Sequence, residues 1–307
     1  MTAVLRGINA DLDELSAVGQ VAQARQTLAD AQARERQAEA AVSTSAAHLA
    51  RLALAAYTGE APPNTGAGAA TAAERMLNVM AEGVQVAIKG DTAMLQSDRQ
   101  DVNEATGTLA LAKTKVVSAD PAAQSPAILG HSVLSAAEMA AWFASTGHVA
   151  RTTVPVAQLA SDYLAAGAQT GVRGDIAFAQ SVIETDYFAF PGVGQHMAVQ
   201  NNFAGIGACD SCATGRSFPN AQTGVTAQEE LLAAYASSHP VPTPLIGSVG
   251  VGGCCPTWMA LAGKWATNPE YGLSIMQVYR QMLDFAVSDR LAAAGLNPAA
   301  RRSAPAA

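Results

Sequence analysis

The chain lacks an excess of basic residues and any long apolar run, and each absence excludes a class of function. Its 307 residues include 18 Lys and Arg against 25 Asp and Glu, for a formal net charge of −7. A nucleic-acid-binding protein normally presents a basic stripe, and a membrane-spanning helix needs roughly 20 apolar residues in succession. The opening MTAVLRGINADLDELSA has no basic segment followed by an apolar core, so no signal peptide is visible. We therefore expect no nucleic-acid partner and no membrane span.

The first 125 residues contain no cysteine, and Tyr57 is their single aromatic residue. A globular core needs large side chains, whereas a two-helix coiled coil can be built from Leu, Val and Ala. The prolines of SADPAAQSP, residues 118–126, would break any helix. We therefore predict a coiled coil over 1–120, a second domain over 126–288 and a disordered tail over 289–307.

Two series of residues spaced three and four apart predict two long helices in the first domain. The first series runs from Val21 to Ala56, and nine of its eleven positions are apolar. The second runs from Val84 to Val116, and eight of its ten positions are apolar. Between them, TGEAPPNTGAGAAT has the composition of a turn or loop. The two helices should form an antiparallel hairpin. Because its Ala-rich seam buries little area, we expect the hairpin to dock onto the second domain or to self-associate.

The second domain is predicted to be mostly helical, because helical periodicity recurs along it while strand signals are weak throughout. The predicted helices cover residues 135–146, 155–171, 174–185, 226–238 and 268–288. The long loops would be 186–203, 205–222 and 239–257.

Glu184 ends the otherwise apolar helical run of GDIAFAQSVIETDYFAF, residues 174–190. The negative end of the helix dipole and partial burial beside aromatic residues both disfavour a carboxylate, which raises its pKa. A general acid working near neutral pH needs such a raised pKa. On spacing alone, a glutamate near a helix end is more often merely a solvated carboxylate.

The segments AFAQSVIET and NNFAGIG together resemble the signature of the glucosaminidase domain of glycoside hydrolase family 73, which has a lysozyme-like fold. FPNAQTGVTAQEELLAAYA and WMALAGKWATNPEYGLSIMQVYRQML resemble later segments of that domain, so the resemblance covers about 126–288. A similar Ala-rich coiled coil often precedes the catalytic domain of actinobacterial cell-wall hydrolases.

The resemblance implies that Glu184 is the general acid that protonates the glycosidic oxygen. It implies that Tyr271 assists catalysis, although a core tyrosine at the start of a helix is the equal alternative. It also implies a turn that lines the substrate groove, formed by Asn202, Phe203, Gly205 and Ile206.

The group that activates water is not fixed by any of these motifs. Asp210 follows the groove-lining turn and is the first candidate, whereas Glu229 and Glu230 are expected on a solvated helix face. Asp186 stands where the family usually has glycine, and it could perturb the pKa of Glu184 or point to solvent. The substrate's N-acetyl group or the acid itself could also take this role.

A tryptophan at the rim of a groove could stack on a sugar ring, although burial is the more common fate of a tryptophan. Of Trp142, Trp258 and Trp265, the first candidate for a sugar contact is Trp258, because it ends the Gly-rich loop SVGVGGCCPTW.

Four cysteines occupy two short segments, Cys209 and Cys212 in CDSC and the adjacent pair Cys254 and Cys255. Neighbouring cysteines cannot easily both reach one tetrahedral zinc ion. In an exported enzyme, which the resemblance implies, two disulfides fit better. The simplest arrangement joins the 209–212 loop to residues 254–255, and we predict no metal and no cofactor.

The sequence therefore predicts an extracellular or wall-associated peptidoglycan hydrolase, an endo-beta-N-acetylglucosaminidase whose partner is the glycan strand. An inactive wall-binding or scaffold protein, a lytic transglycosylase and a redox or zinc protein are the alternatives.

Overall fold

The structure is a computed structural model that describes residues 10–13, 15–57, 67–118, 125–190, 198–208, 215–240, 243–247 and 252–293. The side chains of 52–57, 67–74, 76, 77 and 115–118 are not described. As predicted, the fold is mainly helical, and the described residues form isolated β-bridges but no strands. The helices are α1 (Ser16–Tyr57), α2 (Ala67–Ser118), α3 (Ala136–Ser145), α4 (Val156–Thr170), α5 (Gly174–Glu184), α6 (Ala221–Ala236) and α7 (Tyr271–Ala293). Within the described ranges, none of them is long and apolar enough to cross a membrane.

The chain forms two compact units, one of residues Gln20–Thr114 and one of Met1–Gly19 with Lys115–Ala307. The described residues before Gln20 thus belong to the same unit as those after Thr114. Leu15 and Val18 are fully buried in the structure. The main-chain carbonyl of Leu15 accepts a hydrogen bond from Arg280 of α7 at 3.0 Å.

The first unit is the predicted antiparallel hairpin of α1 and α2, and its polar seam residues pair across the two helices. Ser45 donates to Asp91 at 2.7 Å, and Arg99 donates to Glu35 at 3.3 Å. The residue earlier in α1, Glu35, pairs with the later residue of α2, and Ser45 pairs with the earlier one, so the two helices run antiparallel. Glu35 of α1 thus forms an ion pair with α2. Such partly exposed ion pairs add little stability.

Helix α5 is the centre of the C-terminal unit, and its residues from Gly174 to Val182 are all buried. It packs against α4 and α7, and more lightly against α6. Helix α6 begins at Ala221 instead of residue 226, because the Asn220 side chain accepts the Thr223 amide at 2.8 Å and caps the helix there. Helix α7 begins at Tyr271, three residues later than predicted, after a turn in which the Asn268 carbonyl accepts the Tyr271 amide.

A buried polar network joins the N-terminal segment to α5 and α7. Arg173, just before α5, binds Asp11 at 2.7 and 3.3 Å and donates to the Tyr279 hydroxyl at 2.6 Å. Asp175 lies 3.6 Å from the same guanidinium and accepts the Val133 amide at 2.7 Å. Burial raises the pKa of Asp175 despite the Arg173 charge. Burial opposes the charge of Arg173, but Asp175 and its other partners hold the arginine's pKa above its usual range.

The prediction that Glu229 lies on a solvated helix face is wrong, because its side chain on α6 is fully buried. One carboxyl oxygen lies 3.0 Å from the Thr170 hydroxyl on α4. Burial is the main cause that raises the pKa of Glu229 from 4.5 to about 9. Glu229 is therefore a neutral carboxylic acid in the folded protein at neutral pH. Glu230, its neighbour, is partly exposed and receives a hydrogen bond from Thr243.

We expect Glu229→Gln to stabilise the C-terminal unit by roughly 1–3 kcal/mol at pH 7. The folded state retains a proton that the unfolded chain releases above its ordinary carboxyl pKa, so the stability of the wild type falls as pH rises from about 4.5 to 9. Glutamine has a similar shape and carries no charge to neutralise, so the variant avoids this loss.

Urea unfolding monitored by tryptophan fluorescence would test this expectation, since all three tryptophans, Trp142, Trp258 and Trp265, belong to the C-terminal unit. The gain should increase from pH 7 towards pH 9 and disappear near pH 4, where both states of the wild type are protonated. A variant no more stable than the wild type at pH 8 would contradict the assignment of a neutral Glu229.

Candidate active site

The structure brings Glu184, at the end of α5, together with Tyr271 and Trp265 from the C-terminal part of the chain. The Tyr271 hydroxyl and the Trp265 indole N–H both donate to the same carboxyl oxygen of Glu184, Oε1, the indole at 3.1 Å. Tyr271 is the first residue of α7, and Trp265 lies in the preceding loop, where its amide donates to the Leu261 carbonyl. Tyr271 thus contacts Glu184 directly while being 5% exposed.

Glu184 is a carboxyl group that can hold its proton near neutral pH. Burial is the largest influence on it, and the hydrogen bonds from Tyr271 and Trp265 act in the opposite direction by stabilising the carboxylate. The balance raises the pKa of Glu184 from 4.5 to about 7. Tyr271 remains protonated beside it, because burial and the Glu184 charge raise the tyrosine pKa well above 10.0.

The turn after Glu184 explains why a glycine would suit the position of Asp186. Asp186, Tyr187 and Phe188 have φ angles of 50°, 55° and 57°, in the left-handed region. This region is unfavourable for most side chains but is tolerated by aspartate. Asp186 itself is exposed, and it is not among the causes that raise the pKa of Glu184.

Buried aromatic side chains hold this strained turn in place. Phe188 is fully buried and packs against Phe178 and Phe203 with ring centroids 5.3 and 6.4 Å apart. The Thr185 hydroxyl accepts the Phe188 amide at 2.9 Å. The end of α5, and with it Glu184, is therefore fixed by the aromatic core beneath it.

The side chains of the predicted groove-lining turn mostly face the protein interior. The Asn202 amide donates to the carbonyls of Ile206 and Arg216 at 2.9 and 3.0 Å, and its oxygen accepts the Ile206 amide at 2.9 Å. Phe203 is fully buried, and Gly205 adopts a φ of 63° that favours glycine. Ile206 belongs to an apolar cluster against which Trp265 packs. The turn therefore supports Trp265, and Asn202 and Phe203 present no exposed side chain for a ligand.

Trp258 does not fit its predicted role, because its side chain is fully buried and cannot stack on a sugar. Trp265 is the tryptophan at the site, where it contacts Glu184 and packs against Tyr235 with ring centroids 5.2 Å apart. The signal for Trp265 was its place in WATNPEY, the same short motif that contains Tyr271. Sequence alone could not tell which indole faces the acid.

The remaining predicted site residues are only partly described by the structure. Asp210, Cys209 and Cys212 lie outside the described residues. Cys254 is paired with its neighbour Cys255, which corrects the simplest arrangement, in which residues 254–255 pair with the 209–212 loop. Among the described residues, no group of three or more His, Cys, Asp or Glu side chains is arranged to hold a metal ion.

A carboxyl group with a pKa near neutrality among aromatic side chains is the kind of general acid that glycosidases use. Residues 160–284 match the Glucosaminidase family model, described as mannosyl-glycoprotein endo-beta-N-acetylglucosaminidase. This match confirms the resemblance for that part of the chain, which contains Glu184, Trp265 and Tyr271.

An uncharacterized protein of Borreliella burgdorferi is 31% identical over 130 residues, which is 41% of this chain and 63% of that protein. The chain thus matches less than two thirds of that relative's length. No solved structure matches the chain significantly.

Proposed function

We propose that the protein is a peptidoglycan hydrolase, an endo-beta-N-acetylglucosaminidase that cleaves the glycan strand with Glu184 as general acid. The observation that supports this proposal is the carboxyl of Glu184, with a pKa of about 7 and two hydrogen bonds to one oxygen. The family match over residues 160–284 supports the substrate class, a chain containing N-acetylglucosamine.

The hydrogen bonds to Glu184 give its two carboxyl oxygens different roles. Because Tyr271 and Trp265 both donate to Oε1, the acid proton belongs on Oε2. Oε2 would transfer this proton to the glycosidic oxygen as the bond breaks through an oxocarbenium-like state. The negative charge then left on the carboxylate strengthens both hydrogen bonds, so they favour the transition state over the ground state.

The second step requires a group that activates water or stabilises the oxocarbenium-like centre. Asp210 stays the first candidate, and the substrate's own N-acetyl group is the alternative. Glu229 is excluded from this role, because it is fully buried and neutral at neutral pH.

Analysis of the products released from purified peptidoglycan tests this function. The protein should release muropeptides that carry a reducing-end N-acetylglucosamine, detected by mass spectrometry after borohydride reduction. Products with anhydro ends would instead show that the site carries out transglycosylase chemistry and not hydrolysis. Binding to the wall without any cleavage would favour the inactive wall-binding or scaffold protein.

We also propose that the protein works outside the cell, where its cysteines are oxidised. The pairing of Cys254 with Cys255 supports this proposal. In denaturant without reductant, thiol titration of the secreted protein should detect no free thiol, and after reduction it should detect all four cysteines. Four free thiols before reduction would contradict the proposed location.

We propose that the hairpin self-associates through exposed apolar side chains on α2. Val79, Val86 and Met94 of this helix are 68%, 70% and 63% exposed. Since exposed apolar side chains at helical spacing favour packing on another helix, we propose that a second copy covers them. A monomeric mass in light scattering at high protein concentration would exclude it.

A further inference from the structure

A chain of buried polar side chains leads from α4 through α6 and α5 to Glu184. The Tyr163 hydroxyl donates to Gln228 Oε1 at 2.6 Å, and Gln228 Nε2 donates to Gln180 Oε1 at 2.8 Å. Gln180 Nε2 then donates to the Tyr271 hydroxyl at 2.8 Å, and Tyr271 donates to Glu184. Tyr163, Gln180 and Gln228 are fully buried.

The direction of this chain is fixed by a backbone carbonyl. Gln228 Nε2 also donates to the carbonyl of Ala177, at 3.1 Å. Because a carbonyl can only accept, turning the Gln228 amide over would place two acceptors against each other. The oxygen of Gln180 must therefore face Gln228, and its amide nitrogen must face Tyr271. With its oxygen accepting from Gln180, the Tyr271 hydroxyl is left to direct its proton to Glu184.

Stability alone gives no reason for two glutamines at these positions. Buried amides cost free energy unless they are hydrogen-bonded, and a well-packed apolar core would serve at least as well. Each hydrogen bond in such a chain polarises the next, so the donation to the final acceptor is strengthened. That final acceptor is the carboxyl group of the proposed general acid.

We propose that Gln180 and Gln228 are positioning residues that hold the Tyr271 hydroxyl as a directed donor to Glu184. By making Tyr271 a stronger donor, they stabilise the Glu184 carboxylate and limit the rise of its pKa. This inference rests on the proposed function only for its effect on catalysis, since the hydrogen-bond chain acts on Glu184 whether or not the protein cleaves a glycan.

Other titratable groups lie close to Glu184. Tyr271 faces it from α7, Tyr163 from α4 and Tyr235 from α6, beside Trp265. Burial raises the pKa of each of these tyrosines, so all three stay neutral through the neutral range. Asp186, a charged residue two positions after Glu184 in the chain, is exposed. His148 stacks on Tyr187 in the turn after Glu184, with ring centroids 3.9 Å apart, so the Glu184→Gln variant is needed to assign the titration to Glu184.

The variants Gln180→Met and Gln228→Met test the proposal, since methionine keeps the length of the side chain but cannot hydrogen-bond in the chain. The Glu184 pKa would be measured by NMR titration of protein labelled with ¹³C at the glutamate carboxyl, with Glu184→Gln assigning the resonance. In both variants it should rise by about 0.5–1 unit. The alkaline limb of the pH–activity profile should move up by the same amount, while kcat falls about tenfold.

A double-variant comparison separates positioning through Tyr271 from general loosening of the core. Tyr271→Phe alone should raise the Glu184 pKa at least as much as Gln180→Met, and combining the two should add no further rise. Val182→Ala, at a buried position of the same helix outside the chain, should lower the melting temperature and leave the Glu184 pKa unchanged.

An unchanged Glu184 pKa in folded Gln180→Met and Gln228→Met, or an equal shift in Val182→Ala, would overturn the proposal. The NMR titration needs no substrate, so its outcome is separate from that of the proposed function. If the wild type does not cleave peptidoglycan while the Glu184 pKa still shifts, the function fails and the positioning role stands.

Discussion

Replacing Glu184 with glutamine should lower the rate of glycan cleavage by about 10²–10⁴-fold, the contribution expected of a positioned general acid. Glutamine preserves the shape of the side chain, and its amide oxygen can still accept from Tyr271 and Trp265, as Oε1 of Glu184 does. It has no proton with which to assist the leaving oxygen. The loss should therefore appear in kcat, with little change in binding to the wall.

The matched control is Asp186→Asn, which removes a carboxylate two residues away that is exposed. This variant should retain activity close to the wild type, because Asp186 is not among the causes that raise the Glu184 pKa. Released muropeptides would be quantified by mass spectrometry for all three proteins at several pH values. Equal activity of Glu184→Gln and the wild type would exclude Glu184 as the acid.

Replacing Arg173 with methionine should destabilise the C-terminal unit by roughly 3–5 kcal/mol, because it leaves buried charge without a partner. Arg173 is 7% exposed and is held between the carboxylates of Asp11 and Asp175. Without the guanidinium, these two buried carboxyl groups would lose their opposite charge, and the Tyr279 hydroxyl would lose a donor. Methionine fills much of the same volume, so the loss reports the charge and not a cavity.

Urea unfolding followed by tryptophan fluorescence measures this effect without interference from the hairpin, because every tryptophan belongs to the C-terminal unit. Arg151→Met removes an equal charge from an exposed position and should change stability by less than about 0.5 kcal/mol. Adding Asp11→Asn to Arg173→Met should recover part of the loss, since one unpaired carboxylate is then removed. A loss no larger than that of Arg151→Met would mean that the network does not stabilise the fold.

The elements that sequence periodicity describes directly were predictable. The hairpin and the helices around 136–145, 156–170 and 174–184 follow from apolar spacing that each segment contains in itself. The start of α6 at Ala221 does not follow from periodicity, because the sequence pattern places its N-cap, Asn220, in a loop. Glu184 and Tyr271 were found through motifs, since each motif is short and continuous.

Contacts between residues far apart in the chain could not be predicted in this way. Trp265 and Glu184 are separated by 81 positions, and Asp11 and Tyr279 by 268. A local sequence pattern shows that a residue is polar or aromatic, but it does not predict which distant residue that side chain contacts. For this reason the sequence favours Trp258 over Trp265 as the sugar contact, and it predicts a solvated Glu229 although both Trp258 and Glu229 are fully buried.

A helical hairpin, a helical second domain and a carboxylate at the end of the helix containing AFAQSVIET can all be predicted from local sequence patterns. The pKa of about 7 for this carboxylate follows from the fold, since it depends on burial and on donors from α7 and its preceding loop. Helical periodicity is a property of neighbouring residues, whereas the pKa of a buried acid is set by whatever the fold packs around it.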